Sequence, residues 1–220
     1  MQNKLIVTAD GSHTVINKDL NVSYHSMHGA IQESKHIFID AGLNYKQKKK
    51  INILEVGFGT GLNALLTLIE SKNDRSEIIY EAIELHPLDD LCISSLNYLS
   101  LLNAGQLRDK FLSMHLSPAS AATKISDHFH LKKIYGDIRS IQLSSSYDLI
   151  YFDPFDPVAQ PELWSVDIFK KIYDSTNDGG VLVTYSSKGA VRRAMEAAGF
   201  KIEKLPGPRG KREIVRATKN

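Results

Sequence analysis

Residues 51–66 read I-N-I-L-E-V-G-F-G-T-G-L-N-A-L-L. Apolar side chains at Ile51, Ile53, Leu54 and Val56 describe a buried strand; Gly57, Gly59 and Gly61 interrupt it, and an apolar helix-like run follows. A strand that turns through glycines into a helix brings backbone N–H groups up to a ligand, and it belongs to sheets whose strands alternate with helices. An all-helical or all-β chain has no use for that order.

The rest of the chain keeps the alternation. Residues 78–84, 130–135, 147–152 and 180–185 read as strands. Residues 60–70, 87–100 with Pro87 in the first turn, 161–175 starting at Pro161, and 188–198 ended by Gly199 read as helices. Residues 101–128 read as helical with breaks at Gly105 and Pro118. The segments 200–205 and 212–218 form a closing pair of strands, antiparallel because the loop between them is short. The predicted fold is therefore α/β, a mostly parallel, doubly wound Rossmann-like sheet with an antiparallel last strand. Ahead of it, residues 1–28 lack helical periodicity, and Leu5–Val7 with Val15-Ile16 read as a hairpin around Asp10-Gly11. Gly29–Ala41 reads as a helix ended by Gly42. The run K-Q-K-K-K at 46–50 reads as a charged linker, so the expected organisation is a small N-terminal extension over 1–45 and a main domain over 46–220.

With 220 residues and 42% hydrophobic content the chain can bury one good core plus an appendage. No apolar run approaches the ~20 residues of a membrane span, and the apolar run within Met1–Asp10 is too short for a signal peptide. Cys92 is the single cysteine, which excludes an internal disulfide and a thiolate metal cluster, and the eight histidines lack ligand spacing. The expectation is a cytoplasmic protein with no membrane anchor and no metal. Charge is uneven: Lys188–Asn220 holds ten Lys/Arg against three Glu, leaving 17 basic and 22 acidic residues elsewhere. A basic end on a slightly acidic body reads either as a site for an anionic partner or as a solvated tail.

The glycine pattern is G-x-G-x-G, with Leu62 where a dinucleotide fingerprint has its last glycine. Glu55, two residues ahead, would repel a pyrophosphate but suits the ammonium of an amino acid. This form resembles the first motif of class I S-adenosylmethionine (AdoMet) methyltransferases. Glu84 ends the second strand, where a carboxylate can accept from ribose hydroxyls, and Asp137 follows the next, where it can meet an adenine amino group. Phe58, Gly61, Asn63 and Ile138 complete the expected cofactor set.

Residues 147–157, Y-D-L-I-Y-F-D-P-F-D-P, place Asp153 at the carboxyl end of a strand, where open α/β sheets hold their ligands. Asp153-Pro154-Phe155 is similar to the Asp/Asn-Pro-Pro-Tyr/Phe motif of amino methyltransferases. Methyl transfer moves positive charge onto the attacking atom, and a carboxylate beside a nitrogen stabilises it there. Asp153 is the expected catalytic residue.

Longer stretches sharpen the resemblance. F-D-P-F-D-P-V-A-Q-P-E-L-W, T-Y-S-S-K-G-A-V-R-R-A-M-E-A-A-G-F and L-P-G-P-R-G-K-R-E-I-V-R-A occur in order, after a leader containing T-A-D-G-S-H-T and Y-H-S-M-H-G-A-I-Q-E-S-K-H-I-F-I. Together they resemble the tRNA 5-methylaminomethyl-2-thiouridine methyltransferases, a family found alone (MnmD) or as one half of a two-domain protein (MnmC). The resemblance implies AdoMet-dependent methylation of the amino group of 5-aminomethyl-2-thiouridine at the tRNA wobble position. It aligns Asp153 with the family's active-site Asp, and Glu55, Gly57, Gly59, Glu84 and Asp137 with its cofactor positions. It further implies that the FAD-dependent oxidase half is absent and that separate enzymes supply the primary amine. Pro154 departs from the family, which would have a small residue there.

Such a substrate gives the basic end a partner, the anticodon stem-loop. Lys188, Arg192 and Arg193 lie at the helix after the fifth strand, and Arg209, Lys211 and Arg212 in a loop that Pro206-Gly207-Pro208 stiffens; all are expected to meet phosphates. Phe155, Trp164 and Tyr185 are expected to stack on a splayed base, with a core position equally open to Trp164. Tyr24, His25 and His28 read as a cap over the cofactor or, by preference, as surface side chains. Three alternatives stand beside this reading: an aminopropyltransferase of the spermidine synthase type, an amino methyltransferase acting on another nucleic acid, and a non-catalytic RNA-binding module.

Overall fold

The computed structural model describes residues 4–46, 48–74, 76–143 and 146–220. Its centre is an eight-stranded sheet in the order β10-β11-β9-β8-β4-β5-β7-β6. The strands are β4 (Lys50–Val56), β5 (Glu77–Glu84), β6 (Ala122–Ser126), β7 (Phe129–Tyr135), β8 (Tyr147–Phe152), β9 (Thr176–Thr184), β10 (Lys201–Pro206) and β11 (Glu213–Thr218). The five central strands β7, β5, β4, β8 and β9 pair in parallel, while β11 runs antiparallel to both β9 and β10. β4 is flanked by β5 and β8, so the chain reverses its winding direction there, and the carboxyl edge at that point opens into a crevice. The antiparallel closing pair and the doubly wound order match the sequence expectation.

Helices cover both faces. Phe38, Leu65, Leu68, Phe111 and Met114 pack with Ile53, Ile78 and Tyr80 on one side of the sheet. Ile168, Phe169, Ile172, Val191 and Met195 pack with Leu54, Ile150 and Leu182 on the other. β8 is buried along its whole length, as a central parallel strand must be.

The structure corrects several boundaries. The segment 101–128 is not helical throughout: a helix at Arg108–Leu116 is followed by β6, an edge strand antiparallel to β7. In β6 only Ile125 is buried, so the strand shows no apolar alternation. Gly42 does not end its helix, which runs from Ala30 to Lys46 with a π-helical stretch at Lys35–Leu43. A Cβ at Gly42 would lie 3.1 Å from Val183 Cγ2 and 3.3 Å from Leu149 Cδ1, so the glycine lets the helix sit close on the sheet. Pro87 precedes its helix, which starts at Asp90 with the Asp89 carboxylate accepting from the Cys92 N–H. That helix breaks at Asn97, whose amide accepts from the His13 N–H and donates to the Gly11 carbonyl. Pro161 opens a single 3₁₀ turn, Pro161–Trp164, and the α-helix proper is Val166–Asp174.

The leader forms a three-stranded sheet of β1 (Lys4–Val7), β2 (His13–Asn17) and β3 (Val22–Ser23), with the expected hairpin between its first two strands. Of the charged run 46–50, Gln47 lies outside the described residues, as do residues 1–3 of the N-terminal segment; Lys48 pairs with Asp148 and Lys50 with Glu77. No helix among the described residues is long and apolar enough to cross a membrane.

Candidate active site

The glycine turn is set by backbone geometry that only glycine holds comfortably. Gly57 has φ 91°, and a Cβ there would lie 2.6 Å from the Asp153 carbonyl oxygen. The turn after β4 thus lies directly against the turn after β8. Gly59, at φ 50°, lies under the Tyr24 ring, 2.9 Å from the place a Cβ would occupy to Tyr24 Cδ1. The Gly59 N–H donates to Glu84 Oε2 at 2.7 Å, and Glu84 Oε1 accepts from the His86 N–H at 2.7 Å. Three strand ends are thereby tied at one edge.

The cleft so formed offers about 840 Å³ of empty space, with the open solvent at its mouth included. Of the expected cofactor set, Gly57, Phe58, Gly59, Asn63, Glu84, Asp137, Ile138 and Asp153 all line it. Gly61 lies behind the loop against His115, and Glu55 is wholly buried beneath it. Asn63 links Glu55 to the cleft, since its amide nitrogen donates to Glu55 Oε1 and to Asp153 Oδ2, each at 2.9 Å. Burial pushes both carboxyls well above the ordinary carboxylate range, against the lowering effect of Asn63. Asp137 is held low instead by Arg139, whose guanidinium grips Oδ2 at 2.8 and 2.5 Å.

Pro154 is buried, and its carbonyl accepts from the Tyr185 hydroxyl at 2.9 Å. Phe155 lines the cleft, with its N–H on Gln160 Oε1 and its carbonyl taking the Trp164 indole N–H at 2.9 Å. Trp164 itself is 5% exposed and packs edge-on against Phe152 and Tyr185, so it is a core side chain and offers no free stacking face. Tyr185 is half-buried under Lys211.

The expected basic residues part company. Arg193, Arg209 and Arg212 are exposed, Arg192 is half-buried with Nε on the Ser187 carbonyl, and Lys188 is exposed and paired with Asp156. Lys211 is instead drawn inward to an ion pair with Glu33. The preference for surface positions at Tyr24 and His25 is also corrected. Tyr24 lies edge-on to Phe155 at 4.8 Å, and buried His25 shares a 2.7 Å hydrogen bond with Thr60 in the glycine loop. Both line the cleft.

Sequence reasoning missed Glu33, Gln160 and Lys133. Lys133 is 2% exposed, donates to the His115 carbonyl and lies 5.4 Å from the centre of the Phe58 ring; burial pushes its ammonium down to about 8. A lysine in the alternating strand F-H-L-K-K-I-Y carries no sign of burial except its parity with Phe129 and Leu131. Among the described residues no group of His, Cys, Asp and Glu is arranged to hold a metal ion.

A family model described as an S-adenosyl-L-methionine-dependent methyltransferase matches residues 103–220. This chain belongs to that family, and its cofactor is S-adenosyl-L-methionine. The bifunctional tRNA 5-methylaminomethyl-2-thiouridine biosynthesis protein MnmC of Burkholderia thailandensis is 30% identical over 224 residues, which cover 96% of this chain and 34% of that protein. The chain thus spans about a third of the length of the curated relatives it matches. The crystal structure of MnmC2 from Aquifex aeolicus superimposes with a TM-score of 0.80 at 27% identity, over 100% of this chain and 70% of that one. Spermidine synthase from Thermotoga maritima shares the fold, with a TM-score of 0.57 at 12% identity.

The residues present fit the cofactor. The Asn63 amide, held by Glu55 and Asp153, lines the cleft, Gly57 and Gly59 leave backbone at its wall, and Ile83, Leu85 and Ile138 offer an apolar slot. Bound there, the cofactor supplies an electrophilic methyl group on a sulfonium.

Proposed function

We propose that this chain methylates the amino nitrogen of 5-aminomethyl-2-thiouridine at the wobble position of tRNA, giving 5-methylaminomethyl-2-thiouridine. The observation that carries the reading is Asp153, a desolvated carboxyl at the end of β8, in the cleft and against the glycine turn. The likeness to the Aquifex protein over the whole of this chain supports the choice of substrate over polyamine chemistry. Asp153 is the catalytic residue; Glu55, Gly57, Phe58, Gly59, Gly61, Asn63, Glu84, Asp137 and Ile138 form the cofactor side.

An aliphatic amine of pKa about 10.4 is neutral in roughly one molecule per 10³ at pH 7. Asp153 answers this in two ways. Its carboxylate orients the amine lone pair toward the methyl group, and its raised proton affinity makes it a stronger base than an exposed aspartate. The nitrogen–carbon bond forms as the sulfur–carbon bond breaks, and the proton lost by nitrogen goes to Asp153 and then to solvent.

Phe155 is the stacking face for the flipped base, and Lys188, Arg192, Arg193, Arg209 and Arg212 meet anticodon-stem phosphates. The chain works in the cytoplasm without a metal, and separate enzymes make the primary amine. The extension 1–45 and the catalytic domain 46–220 act as one unit in this reading.

The test is methylation with labelled AdoMet of tRNA from cells unable to install the final methyl group, followed by digestion and mass spectrometry. Label in 5-methylaminomethyl-2-thiouridine is expected. Label in another nucleoside refutes the substrate; binding of AdoMet with no labelled RNA points to a binding module.

A further inference from the structure

Lys211 does not occupy the phosphate-facing position that its neighbours suggest. Its Nζ donates to Glu33 Oε1 and lies 4.3 Å from the centre of the Tyr185 ring. The two charged side chains are 27% and 11% exposed, so solvent screens the pair far less than the exposed Lys188–Asp156 contact. Glu33 uses its other oxygen, Oε2, to accept from the Ser26 N–H at 3.0 Å. One carboxylate therefore holds both the β10–β11 loop and the leader turn that carries Tyr24 and His25.

The chain of contacts continues to the reacting group. Tyr185, under Lys211, donates to the carbonyl of Pro154, the residue after Asp153. Tyr24 and His25, two residues and one residue before Ser26, reach Phe155 and Thr60. Further contacts seat the same loop on the leader: His36 Nε2 lies 2.8 Å from the Pro206 carbonyl, and His28 packs where a Gly210 Cβ would be.

We propose that Glu33 and Lys211 are a positioning pair, an ion-paired clasp between the leader and the β10–β11 loop that sets the place of Asp153 for the acceptor amine. The pair acts on Asp153 with opposite signs: Glu33 raises its proton affinity and Lys211 lowers it. The other titratable neighbours of Asp153, namely Glu55, Tyr80 and Tyr185, come from β4, β5 and the end of β9. Glu55 and Tyr80 come from strands that the clasp does not join, whereas Tyr185 lies under Lys211 and belongs to the chain of contacts. Removing one member leaves the other as an uncompensated, poorly solvated charge, whereas reversing the pair keeps an ion pair between leader and loop while giving up the acceptor for the Ser26 N–H. The kinetic part of this inference rests on the function proposed above.

The experiment compares Lys211→Met, Glu33→Gln, Lys211→Arg and the reversed pair Glu33→Lys/Lys211→Glu. It uses the full chain, with AdoMet and tRNA lacking the final methyl. Each neutral single variant is expected to lower kcat by roughly tenfold or more, the scale of a coupled pair in direct contact, with AdoMet Kd changed less than about threefold. The acid limb of the kcat profile moves up in pH for Lys211→Met and down for Glu33→Gln, while Lys211→Arg keeps it in place. The reversed pair restores the ion pair but not the acceptor for the Ser26 N–H, and it recovers part of the loss. A Lys211→Met variant with unchanged kcat at saturating tRNA but a shallower salt dependence of binding overturns the proposal and makes Lys211 a phosphate contact. Acid limbs that move together, or a reversed pair no better than the singles, overturn it too. Amide exchange at Ser26, measured without substrate, separates this proposal from the proposed function. Lost protection in Lys211→Met supports the clasp even if no tRNA is labelled, and unchanged protection refutes it even if tRNA is.

Discussion

The floor of the cleft and the basic surface are built by opposite rules. The floor is Glu55, Glu84 and Asp153 at the ends of adjacent strands with Asn63 on the helix after the glycine turn, buried or nearly so and tied by hydrogen bonds of 2.7–2.9 Å. The basic surface is Arg193, Arg209 and Arg212 with Lys188, exposed and spread over two connections after β9 and β10. Buried polar groups must find partners, so the floor tolerates one arrangement, whereas exposed cations on flexible stems reach their partners from many positions. Catalysis belongs on the first kind of surface and tracking of a phosphate backbone on the second.

The sharpest break is Asp153→Asn. It keeps the shape and the contact with Asn63 but removes the base, and a fall in kcat of about 10²–10⁴-fold is expected, in the range of general-base catalysis. AdoMet binding measured by calorimetry should change little. Joint loss of binding and turnover would make Asp153 a structural element of the floor.

Asn63→Leu tests the floor without touching the base. Its amide nitrogen is shared by Glu55 and Asp153, and removing a donor from buried acceptors costs about 1–3 kcal/mol. A lower denaturation midpoint with unchanged m-value is the expected outcome, accompanied by weaker AdoMet binding. Unchanged stability would mean that the two carboxyls hold their places without the bridge.

These residues also mark how far the sequence could be read. The floor was legible because strand ends follow from hydrophobic runs, and a sheet's winding puts consecutive strand ends together. Glu55, Glu84 and Asp153 could be placed at one edge from the order of the strands alone. The bridge by Asn63 depends on the pitch of its helix against two strands, which a motif names but does not orient. Trp164 and Lys211 show the limit more plainly. Along the chain a tryptophan after a proline turn suits a stacking face and a core position equally, and a lysine in a basic loop looks exposed; packing against Phe152 and pairing with Glu33, 178 residues away, place both inward. β6 escaped notice for the reverse reason: as an edge strand it has too little buried surface to leave a pattern.

On the basic surface, Arg209→Ala with Arg212→Ala should weaken tRNA binding by roughly fivefold at moderate salt. The slope of log K against log salt should fall by about 0.7–0.9 for each phosphate that the variant no longer neutralises. The rate at saturating tRNA should stay near that of the unaltered chain. An unchanged slope would take the loop out of the RNA interface and leave it solely as the partner of the leader.

The smallest expected effect links the cap to the floor. His25 is buried beside Thr60, and burial lowers its pKa to about 4. In the unfolded chain its pKa is about 6.5, so as pH falls below that value the unfolded state takes up a proton that the folded state refuses. The stability that neutral His25 lends is full above pH 6.5 and is lost progressively toward the folded value near 4. Glu55 and Asp153 oppose this trend, because their raised folded values favour the folded state as protons are added. Wild type alone therefore mixes the two signs, and a difference is needed. His25→Gln keeps a polar partner for Thr60 and removes the titration, so between pH 6.5 and 5.5 it should lose about 1 kcal/mol less stability than wild type does. Chemical denaturation at those two pH values reads it. Equal losses would mean that His25 is reached by solvent and that the cap over the glycine turn opens on its own.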